Sequence, residues 1–124
     1  MGKKNRLILC SVLILVVAKS TFANQWHDKL TQLSSKERNA LLTKAVNASG
    51  QGCDMTIKSF FQGFDDEKKA YWNVECRDKK TYLIRVTDDG ASTVIACSAL
   101  KSLKAGECFK TFDELDKEQK RLKP

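Results

Sequence analysis

The sequence predicts an α+β fold: one or two N-terminal helices packed on a four-stranded antiparallel β-meander, with a C-terminal segment tethered by a disulfide. Three observations predict it. Apolar residues recur at a period near 3.6 up to Ala48 and at a period of 2 after Gly52. Short polar turns, one of them Asp89-Gly90, separate the period-2 runs. Four cysteines (Cys53, Cys76, Cys97 and Cys108) fall within the strand-like region and just beyond it.

The N-terminus has the three parts that export machinery reads. Lys3, Lys4 and Arg6 make a positive start, Leu7 to Ala18 is apolar, and Thr21-Phe22-Ala23 places small residues where a signal peptidase cuts. Residues 1–23 are therefore expected to be a signal peptide cleaved after Ala23. The apolar run is shorter than the roughly 20 residues of a membrane-spanning helix, and no second such run follows, so no membrane span is expected after cleavage. A lipoprotein signal at Cys10 is excluded because that cysteine precedes most of the apolar stretch. Removing Lys3, Lys4, Arg6 and Lys19 takes 4 cations from 22 and leaves 18 against 15 acidic residues, a net charge of +3. With the signs interspersed, that balance speaks for solubility and against a nucleic-acid partner.

Trp26, Leu30 and Leu33 lie at i, i+4 and i+7 and predict a first short helix over 24–33. Ser34 and Glu37 have capping-box spacing, and Ala40, Leu41, Ala45 and Ala48 mark one face of a second helix from about Lys36 to Ala48. Gly50 is placed to cap its end in the left-handed conformation. A first strand is expected over 54–61 with Met55 and Ile57 inward, followed by a charged loop from Gln62 to Lys69. Trp72, Val74 and Cys76 share a face of a second strand, and Tyr82, Ile84 and Val86 a face of a third. A two-residue Asp89-Gly90 turn would set Val86 against Thr93, Ile84 against Ile95 and Tyr82 against Cys97, putting Ile95 and Cys97 inward. One helical turn is expected over 99–104. Thr111 and Glu114 make a second capping box, so the charged tail 113–124, following a domain over 24–112, is read as a short exposed helix.

Once Cys10 leaves with the signal, four cysteines remain in an oxidising compartment, and two disulfides are expected. In the register above, Cys76 and Cys97 flank Tyr82 two strand spacings apart, about 9–10 Å, beyond the roughly 7 Å that a disulfide spans. Cys53–Cys76 and Cys97–Cys108 are the expected pairs. No Cys pair has the close spacing of a structural zinc site, and no Cys-x-x-Cys redox motif occurs.

Candidate chemistry is sparse. His27 stands alone without a companion motif and reads as a surface residue; Ser34 and Ser35 read as helix caps. Asp65-Asp66 and Asp88-Asp89 sit in turns without calcium-loop spacing. Asn47-Ala48-Ser49 matches the glycosylation sequon, which matters only in a eukaryotic secretory pathway. Lys68, Lys69, Arg77, Lys79, Lys80 and Arg85 are interleaved with Glu67, Glu75 and Asp78 and read as a mixed, solvated face. Phe60, Phe61, Phe64 and Tyr71, beside Trp72, cluster around the first hairpin; because adjacent Phe60 and Phe61 must point to opposite faces, these residues either form the candidate binding surface or, the reading favoured here, are covered by the second helix or the C-terminal segment.

The order of helix and strands, with Tyr71-Trp72-Asn73-Val74-Glu75-Cys76, Thr81-Tyr82-Leu83-Ile84-Arg85-Val86 and the Asp89-Gly90 turn, resembles the PepSY-type module of exported bacterial proteins over roughly 36–97. It is also similar in shape to secreted β-lactamase-inhibitor domains. PepSY modules usually lack a four-cysteine framework. Tyr-Trp-Asn-Val-x-Cys, with Cys108-Phe109 near the end, is also similar to small uncharacterised periplasmic proteins. The resemblance implies a non-enzymatic module that binds or inhibits another exported protein and carries over no functional residue. The expected function is thus a small periplasmic or secreted binding module, without catalytic residues, metal or cofactor, that inhibits or escorts another exported protein. The alternatives are a secreted effector or toxin, and a small hydrolase or redox protein.

Overall fold

A computed structural model describes residues 24–102 and 106–123, so the expected signal segment, Cys10 included, lies outside the described residues. Helix α1 (Gln25–Gln32) starts at Asn24, whose side chain accepts from the His27 N–H. Helix α2 (Ser35–Ala48) begins with the expected capping box between Ser34 and Glu37 and ends at Ser49, with Gly50 at φ +89°. Arg38 of α2 reaches back to α1, its guanidinium donating to the carbonyls of Leu30 and Leu33 at 2.8 and 3.0 Å. Those are end-of-helix carbonyls without helical partners, so one side chain both caps α1 and fixes the angle between the helices.

The four strands β1 (Thr56–Phe64), β2 (Ala70–Cys76), β3 (Thr81–Val86) and β4 (Ser92–Ala96) form an antiparallel meander in the order β1-β2-β3-β4. Helix α3 (Cys97–Ser102) follows β4 directly, and α4 (Phe112–Leu122) closes the described chain. The α+β class and the tethered C-terminal segment are as the sequence predicts. The inner face of the sheet carries Trp72, Val74, Cys76, Tyr82, Ile84 and Val86, which meet Leu30 of α1 and Leu42 and Val46 of α2 in one core. Such side chains supply most of the stability, at about 25 cal/mol per Å² of apolar surface removed from water.

All three hairpins use one turn. In each, a residue donates to and accepts from partners across a three-residue loop whose last member has positive φ: Lys68 at +64°, Lys79 at +75° and Gly90 at +85°. The Asp89-Gly90 turn is thus one residue longer than expected, and Val86 pairs with Ser92, Ile84 with Val94 and Tyr82 with Ala96. That slip inverts β4: Val94 and Ala96 face the core, while Ile95 sits beside Leu83 on the outer face, and Cys97 has already left the strand. On β2–β3 the slip is two residues, Val74 rather than Cys76 opposing Tyr82, so the faces keep their expected parity.

β1 departs from expectation in two ways. It runs on through Gln62, Gly63 and Phe64, read from sequence as loop. Near its start, Thr56 is buried while Met55 and Ile57 are exposed at 49% and 45%. The reason is polar: the Thr56 N–H donates to the Thr43 hydroxyl at 3.0 Å and the two hydroxyls lie 2.8 Å apart, an anchor that apolar parity does not reveal. A bulge between Thr56 and Lys58 then resets the pairing with β2.

Both expected disulfides are present, Cys53–Cys76 and Cys97–Cys108, with Cα separations of 5.7 and 5.9 Å. The first closes the core where the α2–β1 loop meets the end of β2. Asn47 supports that loop, donating to Cys53 O at 2.6 Å and accepting from Cys53 N at 3.0 Å. The sequon asparagine is therefore committed to the fold through its side-chain amide.

Candidate functional site

The expected aromatic surface is divided between the two faces of the sheet. Phe61 and Phe64 lie on the inner side, where they surround His27 with ring centroids at 4.3 and 4.6 Å and Trp72 adds a third wall. His27 is buried, against the surface position expected of a lone histidine. Its Nδ1 accepts from Trp72 Nε1 at 3.2 Å, an assignment that requires the neutral ring. Burial pushes the imidazole pKa below its ordinary range, opposed only by the nearby Asp28 charge. Asn24 closes this corner by donating to Val86 O at 2.7 Å and Lys68 O at 3.2 Å, tying α1 to two hairpin ends. Of the group, Phe64 is 42% exposed and marks the outer rim.

Phe60 and Tyr71 point to the outer face and are covered by the C-terminal segment. Phe60 meets the ring of Phe109 at 6.1 Å, and Tyr71 meets Phe112 edge-on at 5.2 Å. Phe112 also lies over Gly63, where a Cβ would come within 2.6 Å of its ring. An amide network built on the buried Asn73 and Gln62 side chains holds this arrangement. Asn73 donates to Gln62 Oε1 at 3.2 Å and accepts from Phe109 N at 2.7 Å, while Gln62 Nε2 donates to Glu107 O at 2.8 Å. Asn73 and Gln62 thus grip the backbone on either side of Cys108, and Phe109 is held at φ +63°, which bulky residues rarely adopt. The Tyr71 hydroxyl donates to Asp65 at 2.9 Å, and burial and that bond raise the phenol pKa.

Beyond this grip, α4 stands off the sheet and buries none of its residues. Between them lies a groove of about 620 Å³, floored by Tyr71, Leu83, Arg85, Thr93 and Ile95 and walled by Leu100 of α3 and by Phe112, Leu115 and Leu122 of α4. Arg85 and Thr93 are paired across β3 and β4, with the guanidinium 3.4 Å from the threonine hydroxyl. The Arg85 Nε is buried and has no hydrogen-bond partner among the described residues. Asp116 and Glu118 line the α4 side, and Glu118 is already engaged by Lys110 at 2.8 Å. This groove was not anticipated from sequence.

The cations read as a mixed face are separated by the fold. Arg77, Lys79 and Lys80 lie at the β2–β3 turn, with Arg77 paired to Asp54 and Lys80 to Asp78. Lys68 and Lys69 lie at the opposite end of the sheet, with Lys69 paired to Glu67 at 2.7 Å. Among the described residues no three His, Cys, Asp or Glu side chains gather as a metal site would require, and no helix is long and apolar enough to cross a membrane. Comparison with known protein families, curated proteins and solved structures finds no match to this chain.

Proposed function

We propose that this chain is an exported, non-enzymatic binding module and that its binding site is the groove between the outer sheet face and α4. The observation that carries this reading is the groove itself: among the described residues, leucine, isoleucine and phenylalanine side chains form much of its wall, with Arg85, Asp116, Glu118 and Gln119 as its polar groups. A volume of about 620 Å³ falls within the roughly 300–1,000 Å³ typical of small-molecule sites, which pair apolar walls with a few polar groups. The reading includes cleavage after Ala23 and a periplasmic or secreted location, supported by two disulfides. Such a module would hold or escort a ligand. The PepSY-type resemblance is part of the same proposal.

The uncharged dye N-phenyl-1-naphthylamine tests the site. Saturable binding of one equivalent, lost in Leu115→Trp with the thermal midpoint kept, is expected. Absence of saturable binding, or equal affinity in the variant, refutes the site.

A second reading rests on β1. This edge strand leaves Ile57 and Phe64 exposed, with exposed Met55 just before it, so a protein partner could add a strand there. Ile57→Lys would abolish such pairing and leave dye binding intact.

A further inference from the structure

We infer that the Cys97–Cys108 disulfide is a redox gate on the groove: a dithiol reductant opens this bond selectively, and its reduction loosens the walls that close the site. This rests on the groove being the binding site and adds how its occupancy is controlled. One bond holds both walls that stand outside the sheet. Cys97 is the first residue of α3, which brings Leu100 to the groove, and Cys108 lies just before α4, which brings Phe112, Leu115 and Leu122. The floor belongs to β2, β3 and β4 and does not depend on that bond.

The two disulfides differ in access. Cys53 and Cys76 are 2% and 0% exposed and lie within the core, whereas Cys97 and Cys108 are both half-buried at its periphery. Exchange requires a thiolate to reach a disulfide sulfur, so access decides which bond is attacked first. Reduction proceeds by exchange: one thiolate of the dithiol attacks the Cys97–Cys108 bond and forms a mixed disulfide. Its second thiol then displaces the protein sulfur, and the reductant leaves as its own disulfide. Two electrons pass to the protein pair, and the two protons of the dithiol end on Cys97 and Cys108.

Three features bias the reduced segment toward opening. Helix α4 buries none of its own residues. Phe109, next to Cys108, is held at φ +63°, a strained conformation that relaxes once the chain is free. The bridge closes 11 residues, and removing that constraint raises the open population by about a hundredfold on chain entropy alone. What still holds the segment is the main-chain grip of Gln62 and Asn73 and the packing of Phe112 on Tyr71.

Titrating the oxidised protein with dithiothreitol, quenching with iodoacetamide and mapping peptides by mass tests the selectivity. Cys97 and Cys108 should be alkylated at a reductant concentration at least about tenfold below that needed for Cys53 and Cys76. In the singly reduced protein, amide exchange at Phe109 should be about a hundredfold faster, while β2 and β3 keep their protection. Binding of N-phenyl-1-naphthylamine should weaken severalfold and recover on reoxidation. Cys97→Ser combined with Cys108→Ser should bind the dye as weakly as the reduced protein and ignore dithiothreitol, which separates loss of the bridge from any effect of the reductant itself. Reduction of both pairs together, or dye affinities within about twofold in the two redox forms, would overturn the gate and leave the groove as the site. Absence of saturable dye binding in the oxidised protein would overturn the groove and the gate with it.

Discussion

Replacing Asn73 with Ala should undock the C-terminal segment while sparing the sheet. Asn73 is fully buried, and its amide makes two bonds, one to Gln62 and one to the Phe109 N–H at 2.7 Å. Truncation strands the Gln62 oxygen and the Phe109 N–H, and each abandoned buried group costs about 1–3 kcal/mol. The bond to the Phe109 amide is only partly buried, so its loss costs less than the full penalty and the sum is about 2–4 kcal/mol. That is a large share of the roughly 5–15 kcal/mol by which domains are stable. Removing the Cys97–Cys108 bridge, which closes 11 residues, costs about 2.8 kcal/mol on chain entropy alone. Both changes release the same segment, so the triple variant should lose less than the sum of the two. Urea unfolding followed by Trp72 fluorescence gives the energies, and hydrogen exchange gives their location. The Phe109 amide should lose protection while those of β2 and β3 keep most of theirs. A loss under about 1 kcal/mol with Phe109 still protected would refute the clamp, and full additivity would show that bridge and amide act on different events.

Other consequences follow from local geometry. His27 is neutral when folded with a depressed pKa, so the unfolded chain takes up its proton first. Stability should be level above about pH 7, fall as the pH drops through the free imidazole's value near 6.5, and flatten below the lower folded value. His27→Gln should remove that slope in denaturation midpoints measured from pH 5 to 8. Lys79→Gly relieves a positive φ of 75° in an exposed turn and should raise stability by about 0.5–1 kcal/mol, read as a higher urea midpoint at unchanged m-value. Gly63→Ala drives a methyl group into Phe112 at a φ of +149° and should cost about 1–3 kcal/mol, recovered only in part in the double variant with Phe112→Ala because the backbone strain remains. Thr111→Ala removes the capping box of α4 and should cost roughly 1 kcal/mol of helix stability, visible as faster amide exchange at Glu114 and Leu115.

The parts of the fold legible in sequence are those governed by local rules. Ser34–Glu37 and Thr111–Glu114 cap helices because their partners lie three residues away. Strand parity held for Trp72, Val74, Tyr82 and Ile84, and both cysteine pairs are the expected ones, although the register that separated Cys76 from Cys97 shifts on both sides of Tyr82. The reading failed where a single residue of loop length decides. Asp88 joins Asp89 and Gly90 in the turn, and that one residue sends Ile95 outward and makes it part of the groove floor. It failed again where a polar bond overrides apolar alternation, as at Thr56, and where the partner is remote in sequence. His27 meets Trp72 across 45 positions, and Asn73 meets Phe109 across 36. The groove belongs to that last class, because its far wall is placed by the backbone grip of Asn73 and Gln62 together with the Cys97–Cys108 bridge and the packing of Phe112 on Tyr71.

That grip is indifferent to side-chain identity at its far end. Asn73 and Gln62 bind the main chain of residues 107 and 109, so what they require of the segment is a path, held by Cys108, rather than a composition. Downstream of it α4 contributes nothing buried to the core. The molecule thereby separates into a chassis, ending at the Phe112 ring packed on Tyr71 and Gly63, and an exchangeable stretch beyond it. Residues 113–123 can be replaced by helical sequence of other length, charge or polarity while the stability set by the sheet and α2 stays as it was.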